Sequence, residues 1–483
     1  MTATSTGVVP LYRVESFRQS RKSMRRWARD NGQMIVAGII AVILLLLSFL
    51  LGMILWFEGS RTSEEPFEVD GNDDLLSRGY EGVGSEEDPV VIENMEITAS
   101  SDNGIVIKNT SLHLIIRNIE VKNGFEPCWY YFDGVCLDNV TNCSIISCKF
   151  SSDYHAITME HCREVTISSV TAEDCGIRVF ACEGISMADS QIVDLTIDSS
   201  AEIALHDNDF SGGIILYGDS PVHFDSHEIP DTNLVNSRPI LYYAGANGLV
   251  LEGVDGGQVI VANCTDLEMS GLAFEGSVAA IQLAFVDRAE VSESTFSGCT
   301  EGVRLTLASN ISIHDCAFES CEYGSIIAEE SGNIQILSNT VYKGTPGIRI
   351  AYSRGVDVVA NRFSSCTGDS LQVYESSSIT VSGNTYVQFE AEVGSPFCHV
   401  YFSNVRDSVI EDNALDNEGQ TTGNYYAVFL FYCQRILVEG NSISDHCGGS
   451  PSVGISLGES TDVTLMDNVI EGFDVDVSPG MGY

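Results

Sequence analysis

Apolar side chains return along this sequence with a nearly constant period. The clearest series has separations of 22, 22, 23, 22 and 23 residues and consists of Phe274, Phe296, Phe318, Val341, Phe363 and Tyr386. Two further apolar residues precede each of these anchors by seven and five positions, as Ile311 and Ile313 precede Phe318. Because side chains two apart share one face of a strand, each doublet predicts a short strand.

A second apolar doublet follows most anchors, as Ile348 and Ile350 follow Val341. A unit of this length cannot bury its own apolar face, but stacked copies enclose a continuous core between parallel sheets. We therefore predict an all-β fold, a right-handed single-stranded parallel β-helix of about 14 coils. A β-sandwich is the alternative, and it does not require a fixed register of this kind.

Asparagine recurs two residues before many of the anchors. After glycine, it is among the residues that most readily adopt the left-handed backbone conformation, so we expect it to form the corners between strands. The recurring residues are Asn208, Asn339, Asn361, Asn384, Asn413, Asn441 and Asn468.

Residues 34–57 form an uncharged apolar run, long enough to cross roughly 30 Å of hydrocarbon as one α-helix. The residues before it are rich in arginine, and basic residues remain on the cytoplasmic side of a membrane. They include Arg13, Arg18, Arg21, Lys22, Arg25, Arg26 and Arg29. We predict an uncleaved single-pass signal anchor with a cytoplasmic N-terminus. A cleaved signal peptide is the alternative, although its apolar core normally has only ~7 to 15 residues.

These patterns divide the chain into four parts. Residues 1–33 are a short basic cytoplasmic tail, residues 34–57 the transmembrane signal anchor and residues 58–88 an acidic linker. Residues 89–483 are the extracytoplasmic β-helix, in which residues 217–256 form an insertion.

Composition excludes some partners. The chain has 24 Lys and Arg residues against 68 Asp and Glu residues, a formal net charge of −44. Such a surface repels nucleic acid, so none is expected as a partner. We expect no cofactor, although the carboxylates could bind a divalent cation. Cys299 and Cys321 should lie one coil apart, where they could form a disulfide or simply stack as small apolar residues.

Longer connections leave one corner of the predicted coil. The step from an anchor to the next doublet is normally seven residues, but it is 14 from Val121 to Val135 and 13 from Leu415 to Val428. Aromatic residues in or beside such loops suit the apolar faces of sugar rings, and they are our candidates for glycan binding. The alternative is that they fold back and cap the core. The candidates are Trp129, Tyr130, Tyr131, Phe397, Tyr425 and Tyr426.

Two segments carry a resemblance to a known family. The stretch DTNLVNSRPILYY at 231–243 resembles the insertion of NosD-like β-helix proteins of the carbohydrate-binding and sugar-hydrolase (CASH) type, which are common among archaeal surface proteins. The segment from Gly84, GSEEDPVVIENMEITAS, and the following GIVIKNTSLHLIIRNIEVKNG are similar to the first coils of that family. The resemblance covers residues 82–475 and implies an extracytoplasmic right-handed β-helix without determining an activity.

Three functions follow as alternatives. We favour a membrane-anchored surface protein without catalysis, acting in structure, adhesion or the binding of an envelope polysaccharide. A polysaccharide lyase or epimerase is the second, with Arg304 and Arg349 as possible bases, although the sequence places no clear carboxylate cluster beside them. A NosD-like copper-site maturation factor is the third, with His223, Asp225 and His227 as metal candidates. The sequence does not predict the oligomeric state.

Overall fold

The computed structural model describes residues 61–99, 102–123, 132–151, 154–172, 174–389, 397–419, 424–447 and 451–479. From Ser63 onward the chain forms one compact unit. Within the described residues it consists of short parallel strands, one antiparallel hairpin and the two helices Asn72–Ser77 and Val222–Asp225. A strand at Thr62–Glu64 comes before the coils.

The coils of the first stack have three faces, each a ladder of parallel strands. The first face contains Phe67–Asp70, Ile105–Thr110, the start of Val135–Ile146, His155–Glu160, Gly176–Phe180 and the later parts of Gln191–Asp198 and Asp209–Tyr217. The second contains Val90–Glu93, Leu114–Arg117, the end of Val135–Ile146, Arg163–Ser168, Glu183–Ala188 and Ala204–His206. The third contains Met95–Ala99, Glu120–Asn123, Lys149–Ser151, Thr171–Ala172, the starts of Gln191–Asp198 and Asp209–Tyr217, and Leu234–Val235.

The second stack repeats this plan with more coils. Its first face contains Arg238–Ala244, Gln258–Ala262, Ala279–Ala284, Glu301–Thr306, Gly324–Glu329, Ile348–Ala351, Leu371–Tyr374, Phe397–Ser403, Tyr425–Phe431, Ser452–Gly458 and Val475–Ser478. Its second face contains Val250–Glu252, Thr265–Ser270, Asp287–Ser292, Ser309–His314, Gly332–Leu337, Arg354–Val359, Ser377–Ser382, Arg406–Glu411, Gln434–Glu439 and Thr461–Met466. Its third face contains Ala273–Glu275, Thr295–Ser297, Ala317–Glu319, Thr340–Tyr342, Arg362–Ser364, Thr385–Gln388, Ala414–Asn417, Ser442–Asp445 and Val469–Glu471.

The anchors predicted from the sequence lie on the third face of the second stack and point inward. The ring centroids of Phe296 and Phe318 are 4.5 Å apart, and those of Phe363 and Tyr386 are 4.6 Å apart, with nearly parallel planes. The doublets before and after each anchor form the second and first faces. The predicted parallel β-helix is confirmed.

The apolar interior is divided into two clusters rather than being one continuous core. One cluster runs from Val69 to Ile240, and the other from Leu251 to Ile455. Three outward-facing residues of the second stack, Ile260, Ala262 and Ala284, belong to the first cluster. The end of the first stack therefore packs against the outer side of the second stack, which the regular period did not predict.

Two glutamines make this junction. The side-chain oxygen of Gln258 accepts from Ile214 N at 2.9 Å, and that of Gln282 accepts from Leu216 N at 2.9 Å. Both side-chain amides donate to the carbonyl of Ile214. These side-chain amides make the hydrogen bonds that the backbone of a further strand would make. The backbone groups of Ile214 and Leu216, at the last edge of the first stack, therefore have hydrogen-bond partners.

The prediction for the corner asparagines was wrong in one respect. The left-handed residue is the one before each asparagine, for example Ala360 with φ 55° and Asp412 with φ 53°. The asparagine itself points inward, because its amide is needed by the adjacent coil. Asn361 Nδ2 donates to Ile336 O at 2.8 Å and to Asn384 Oδ1 at 3.1 Å.

Residues described within the predicted linker and insertion belong largely to the stacks. Phe67–Asp70 pairs with Ile105–Thr110, and Val69 and Leu75 are fully buried. The linker prediction failed because these few apolar residues are enough to complete a rung among acidic neighbours. In the insertion, Arg238–Ala244 already pairs with Gln258–Ala262.

The cysteines in the described residues are free thiols, and most are buried. Cys299 and Cys321 are fully buried one coil apart. Burial raises the pKa of Cys321 to about 12, so both act as small apolar residues of the core.

The predicted tail and span, 1–33 and 34–57, lie outside the described residues. None of the helices in the described part of the chain is both long and apolar enough to cross a membrane.

Candidate functional site

A groove of about 520 Å³ crosses the outer side of the first stack's first face. It lies over the side chains that point away from the core on neighbouring rungs. Its lining includes Phe67, Glu68, Asp102, Asn103, Val106, Lys108, Asp133, Cys136, Asp138, Thr158 and Glu160.

Charges of both signs meet in this groove. Lys108 Nζ lies 2.8 Å from Glu68, and Arg178 lies 3.3 Å from Glu160. The hydrogen bond to Glu68 raises the pKa of the exposed Lys108 ammonium. Lys108 therefore remains protonated and is a poor base.

Among the described residues, Asp138, Glu160 and His161 form a group with metal-ligand spacing. The three side chains offer ligand atoms within 4.8 Å of one another. They could hold a divalent cation, but Glu160 is also paired with Arg178 and His161 is largely exposed.

A row of ionisable groups stands at one corner of the same stack. His155 Nδ1 lies 3.2 Å from Asp133 Oδ1, and Thr158 Oγ1 donates to Asp133 Oδ2 at 2.7 Å. Burial opposes ionisation of Asp133, but the hydrogen bonds from His155 and Thr158 outweigh it, so its pKa lies below the ordinary value. Burial raises the pKa of the nearby Asp194, and His155 opposes this only in part.

The second stack carries aromatic side chains on the outer side of its first face. We call this set the aromatic strip. Along it, the ring centroid of Tyr401 lies 5.6 Å from that of Tyr374 and 5.6 Å from that of Phe429. The set comprises Tyr374, Tyr401, Tyr426, Phe429, Phe431 and Tyr432, of which Tyr432 is exposed and the others are half-buried.

Polar groups border the strip at the end nearer the junction. Asp369 accepts hydrogen bonds from Gln372 Nε2 at 2.9 Å and from Cys398 N at 2.8 Å. Burial raises the pKa of Asp369 and raises that of Tyr374 to about 12. The Arg349 guanidinium lies 6.0 Å from the centre of the Tyr374 ring. Aromatic rings that can stack and side chains that can form hydrogen bonds therefore lie next to each other at this end of the strip.

The predicted glycan-binding residues lie in different environments. Trp129, Tyr130 and Tyr131 lie outside the described residues. Phe397 is 5% exposed and Tyr425 is fully buried, and their rings stack 5.9 Å apart within the core. Each of the two residues begins a strand of the first face, and both rings point inward and cap the core. Tyr426 belongs to the aromatic strip, 5.0 Å from Phe429.

The metal candidates at the end of the first stack are not gathered around a common point. His227 Nδ1 accepts from Ile203 N, and its Nε2 donates to His223 O at 2.9 Å. Asp225 accepts from Asn263 at 2.9 Å, and His223 faces Asp219. Burial lowers the pKa of His227. Both ring nitrogens of His227 are therefore engaged within the fold.

Arg304, considered as a base, is instead a fixed cation at the junction. It is 6% exposed, and two of its nitrogens contact Glu301 at 2.6 and 2.7 Å. A third contacts Glu329 at 2.8 Å, and the guanidinium lies over the Tyr217 ring. Burial opposes the charge, but the Glu301 carboxylate outweighs it and raises the pKa of Arg304. Such a group cannot accept a proton.

Sequence reasoning missed both the aromatic strip and the pairing of His155 with Asp133. A signal for the strip was present, because Tyr401 and Phe429 stand between the two members of an apolar doublet and must face outward. No sequence signal predicted that His155 would meet Asp133. The two residues are 22 positions apart, and only the register of the coils brings them together.

Comparisons with known proteins agree with this architecture. Residues 241–386 match the family model described as "Right handed beta helix region". No curated protein matches the chain. Parallel ladders together with this match define a right-handed parallel β-helix protein. The NosD-like, CASH and archaeal assignments stay predictions.

Several solved structures are similar to this chain at low sequence identity. The tailspike protein 3 of bacteriophage CBA120 is 13% identical over 84% of this chain, which spans 55% of that protein, with a TM-score of 0.27. The A-module of the Azotobacter vinelandii mannuronan C-5 epimerase AlgE4 is 11% identical, with coverage of 87% and 90% and a TM-score of 0.28. A mannuronic acid-specific family 6 lyase from human gut microbiota is 10% identical, with coverage of 78% and 87% and a TM-score of 0.26.

Proposed function

We propose that this chain is a membrane-anchored, extracytoplasmic β-helix protein that binds a polysaccharide along the aromatic strip. The observation that carries the proposal is that three successive rungs each carry an outward aromatic ring. Tyr374, Tyr401 and Phe429 follow one another with centroid spacings of 5.6 Å.

Stacking on sugar rings explains this arrangement. The face of an aromatic ring packs against the apolar C–H face of a pyranose, and the spacing of the strip is close to the length of one sugar unit in an extended chain. Asp369 and Gln372 stand beside the rings and can exchange hydrogen bonds with sugar hydroxyls. A polymer could contact several rings at once, which increases its affinity.

The charge of the protein supports a carbohydrate over other partners. A net charge of −44 disfavours nucleic acid and anionic lipid surfaces. The apolar run at 34–57 and the basic residues before it support a single span with the β-helix outside the cytoplasm. In that location a polysaccharide of the cell envelope or surroundings is within reach.

Binding can be tested with the full-length protein in nanodiscs, which avoids detergents that carry sugar headgroups. Neutral glucans, mannans and xylans and the acidic polymers alginate and pectate are offered in affinity electrophoresis. We expect at least one to bind, and we expect Tyr401→Ala and Phe429→Ala each to weaken that binding about tenfold, the effect of roughly 1.4 kcal/mol.

The matched control is Tyr323→Ala, which removes an exposed tyrosine away from the strip. It should leave binding unchanged. Circular dichroism and thermal unfolding of every variant separate lost binding from lost folding. A wild-type protein that binds none of these polymers, or strip variants that bind as the wild type does, would contradict the proposal.

Polysaccharide modification is the second candidate function. It is favoured by the groove on the first stack, where several carboxylates and Lys108 line one cavity. Asp133, one of the lining residues, faces His155. A metal-delivery function has less support, because His227 uses both ring nitrogens within the fold.

A further inference from the structure

Two cysteines lie next to each other at one corner of the first stack, where the chain passes from the first face to the second. The strands that end two residues before Cys162 and Cys182 are paired, and the residues directly after them, Arg163 and Glu183, are paired as well. The two cysteines therefore hold the same position on successive rungs, with α-carbons about 4.8 Å apart. A disulfide requires α-carbons about 4.4 to 6.8 Å apart, so this spacing permits one.

The sulfur of Cys182 is directed at the preceding rung. Cys162 N donates to Cys182 Sγ at 3.3 Å. The hydrogen bond from the Cys162 thiol, together with this backbone N–H, outweighs burial and lowers the pKa of Cys182. The same thiol hydrogen bond and burial raise the pKa of Cys162. Cys182 is therefore the more nucleophilic of the two sulfurs, and Cys162 keeps its proton beside it.

Burial restricts the oxidant that can react with this pair. Cys162 is fully buried and Cys182 is only 3% exposed. A mixed disulfide with a bulky thiol does not fit at such a position, whereas hydrogen peroxide is nearly as small as water. A thiolate reacts with peroxide to give a sulfenic acid, and a neighbouring thiol converts the sulfenic acid to a disulfide.

We propose that Cys162 and Cys182 are a peroxide-responsive pair that forms a disulfide between two successive rungs of the first stack. Cys182 reacts with the peroxide, and Cys162 resolves the product. The proposal is independent of glycan binding, because the aromatic strip lies on the other stack. Glu160, which lines the groove, lies two residues before Cys162, so the bond would fasten the rung at the edge of the groove to the next one.

Hydrogen peroxide is the co-reactant, and it supplies the oxidising equivalents. The Cys182 thiolate forms a bond to one peroxide oxygen while the O–O bond breaks, and the departing hydroxide takes up a proton to become water. The sulfur of Cys162 then displaces the hydroxyl group from the Cys182 sulfenic acid, and this group leaves as a second water with the thiol proton of Cys162. Two thiols are oxidised and one peroxide is reduced to two water molecules.

Cys299 and Cys321 provide a comparison within the same chain. They are also one coil apart and fully buried. The Cys299 sulfur, however, contacts the carbonyl of Ser297 in its own coil. Burial raises the pKa of Cys299 and raises that of Cys321 to about 12. Because neither thiol is ionised at neutral pH, the spacing alone should not produce a bond between them.

The experiment uses the full-length protein in nanodiscs, purified with a reductant that is then removed. Hydrogen peroxide is added to the folded protein, the remaining thiols are blocked, and the digested peptides are identified by mass spectrometry. We expect one new disulfide, Cys162 to Cys182, with a mass loss of about 2 Da. Cys299 and Cys321 should remain thiols. Hydrogen exchange of the segment 160–183 should slow at least about tenfold.

Two variants assign the roles of the sulfurs. Cys162→Ser removes the resolving thiol, so the sulfenic acid of Cys182 should persist and react with dimedone. Cys182→Ser should abolish both the disulfide and any dimedone labelling of Cys162. Serine suits this position, because Ser200 holds it on the next rung and its Oγ accepts from Cys182 N at 3.0 Å. Circular dichroism and thermal unfolding check that each variant is folded.

Two results would overturn the proposal. The first is a folded wild-type protein that keeps both thiols at a peroxide concentration that fully oxidises free glutathione. The second is a bond between Cys299 and Cys321 that forms as readily as the one between Cys162 and Cys182, since stacking of any two cysteines would then explain the chemistry. Loss of polysaccharide binding by the strip variants would leave this outcome unchanged.

Discussion

Buried asparagine is the residue that does most to align the coils of the second stack. Asn384 Oδ1 accepts from both Asn361 N at 2.8 Å and Asn361 Nδ2 at 3.1 Å, and its Nδ2 donates to Val358 O at 2.7 Å. The amide of Asn384 therefore joins its own coil to the preceding one. The recurrence of asparagine was visible in the sequence, but its ladder was not, because side-chain direction at a corner depends on which residue turns left-handed.

Replacing one member of this ladder should destabilise the fold. We expect Asn384→Ala to lower the free energy of unfolding by about 2 to 4 kcal/mol, because the amide of Asn361 and the carbonyl of Val358 lose buried partners. Urea unfolding of the full chain measures the effect. Thr385→Ala, the next residue on the outer side, is the control and should change it by less than about 0.5 kcal/mol. Equal effects would show that the ladder contributes little.

His399 should make stability depend on pH. Its side chain is 1% exposed among the rings of Phe397, Tyr386 and Tyr425, and burial lowers its pKa from 6.5 to about 3. The unfolded chain therefore binds a proton on this histidine between these two values while the folded chain does not. The contribution of His399 to the free energy of unfolding is fully present above about pH 6.5. Below that pH, the free energy of unfolding falls by up to about 1.4 kcal/mol per pH unit.

The test compares urea unfolding at pH 7 and pH 4.5. His399→Phe should reduce the loss of stability on acidification, since the apolar ring cannot take up a proton. His161→Gln, which alters an exposed histidine, should show the same loss as the wild type. If His399→Phe also loses as much stability as the wild type, the buried imidazole does not control this acid response.

At the scale of elements, the decisive feature is the junction between the stacks. Doublets of apolar residues predicted the strands of the first and second faces, and Ile260, Gln282 and Arg304 occupy outward positions of that same pattern. An outward position normally meets solvent, but here it meets the strand Asp209–Tyr217. The sequence could not reveal this, because alternation defines only the inner and outer sides of a strand.

The junction predicts an effect for Gln282. Gln282→Ala should leave Leu216 N without its acceptor and lower the free energy of unfolding by about 1 to 3 kcal/mol. Hydrogen exchange of the segment 209–217 should accelerate as well. Gln335→Ala is the control, since Gln335 is exposed on the strand Gly332–Leu337. Unchanged exchange at 209–217 would mean that the backbone of Asp209–Tyr217 does not depend on this amide.

At the scale of the whole molecule, both candidate surfaces lie on a first face. The groove lies on the first stack and the aromatic strip on the second. The junction covers the first face of the second stack at the early rungs, where Gln282 and Arg304 are buried. Only later rungs present this face to solvent, and these rungs carry Arg349, Tyr374 and the remainder of the strip. The break between the stacks therefore determines where a ligand can bind.

Local order in the sequence determined the type of fold. The alternation of apolar residues and the return of Phe274, Phe296 and Phe318 every 22 residues predicted inward-facing strands and parallel stacking, because a strand of period two buries alternate side chains only when neighbouring coils share its register. The tertiary structure alone decided that the core is divided, that Phe397 and Tyr425 turn inward and that His155 meets Asp133. Those relations depend on the path of the chain around the break and on contacts across coils, which no short-range pattern records.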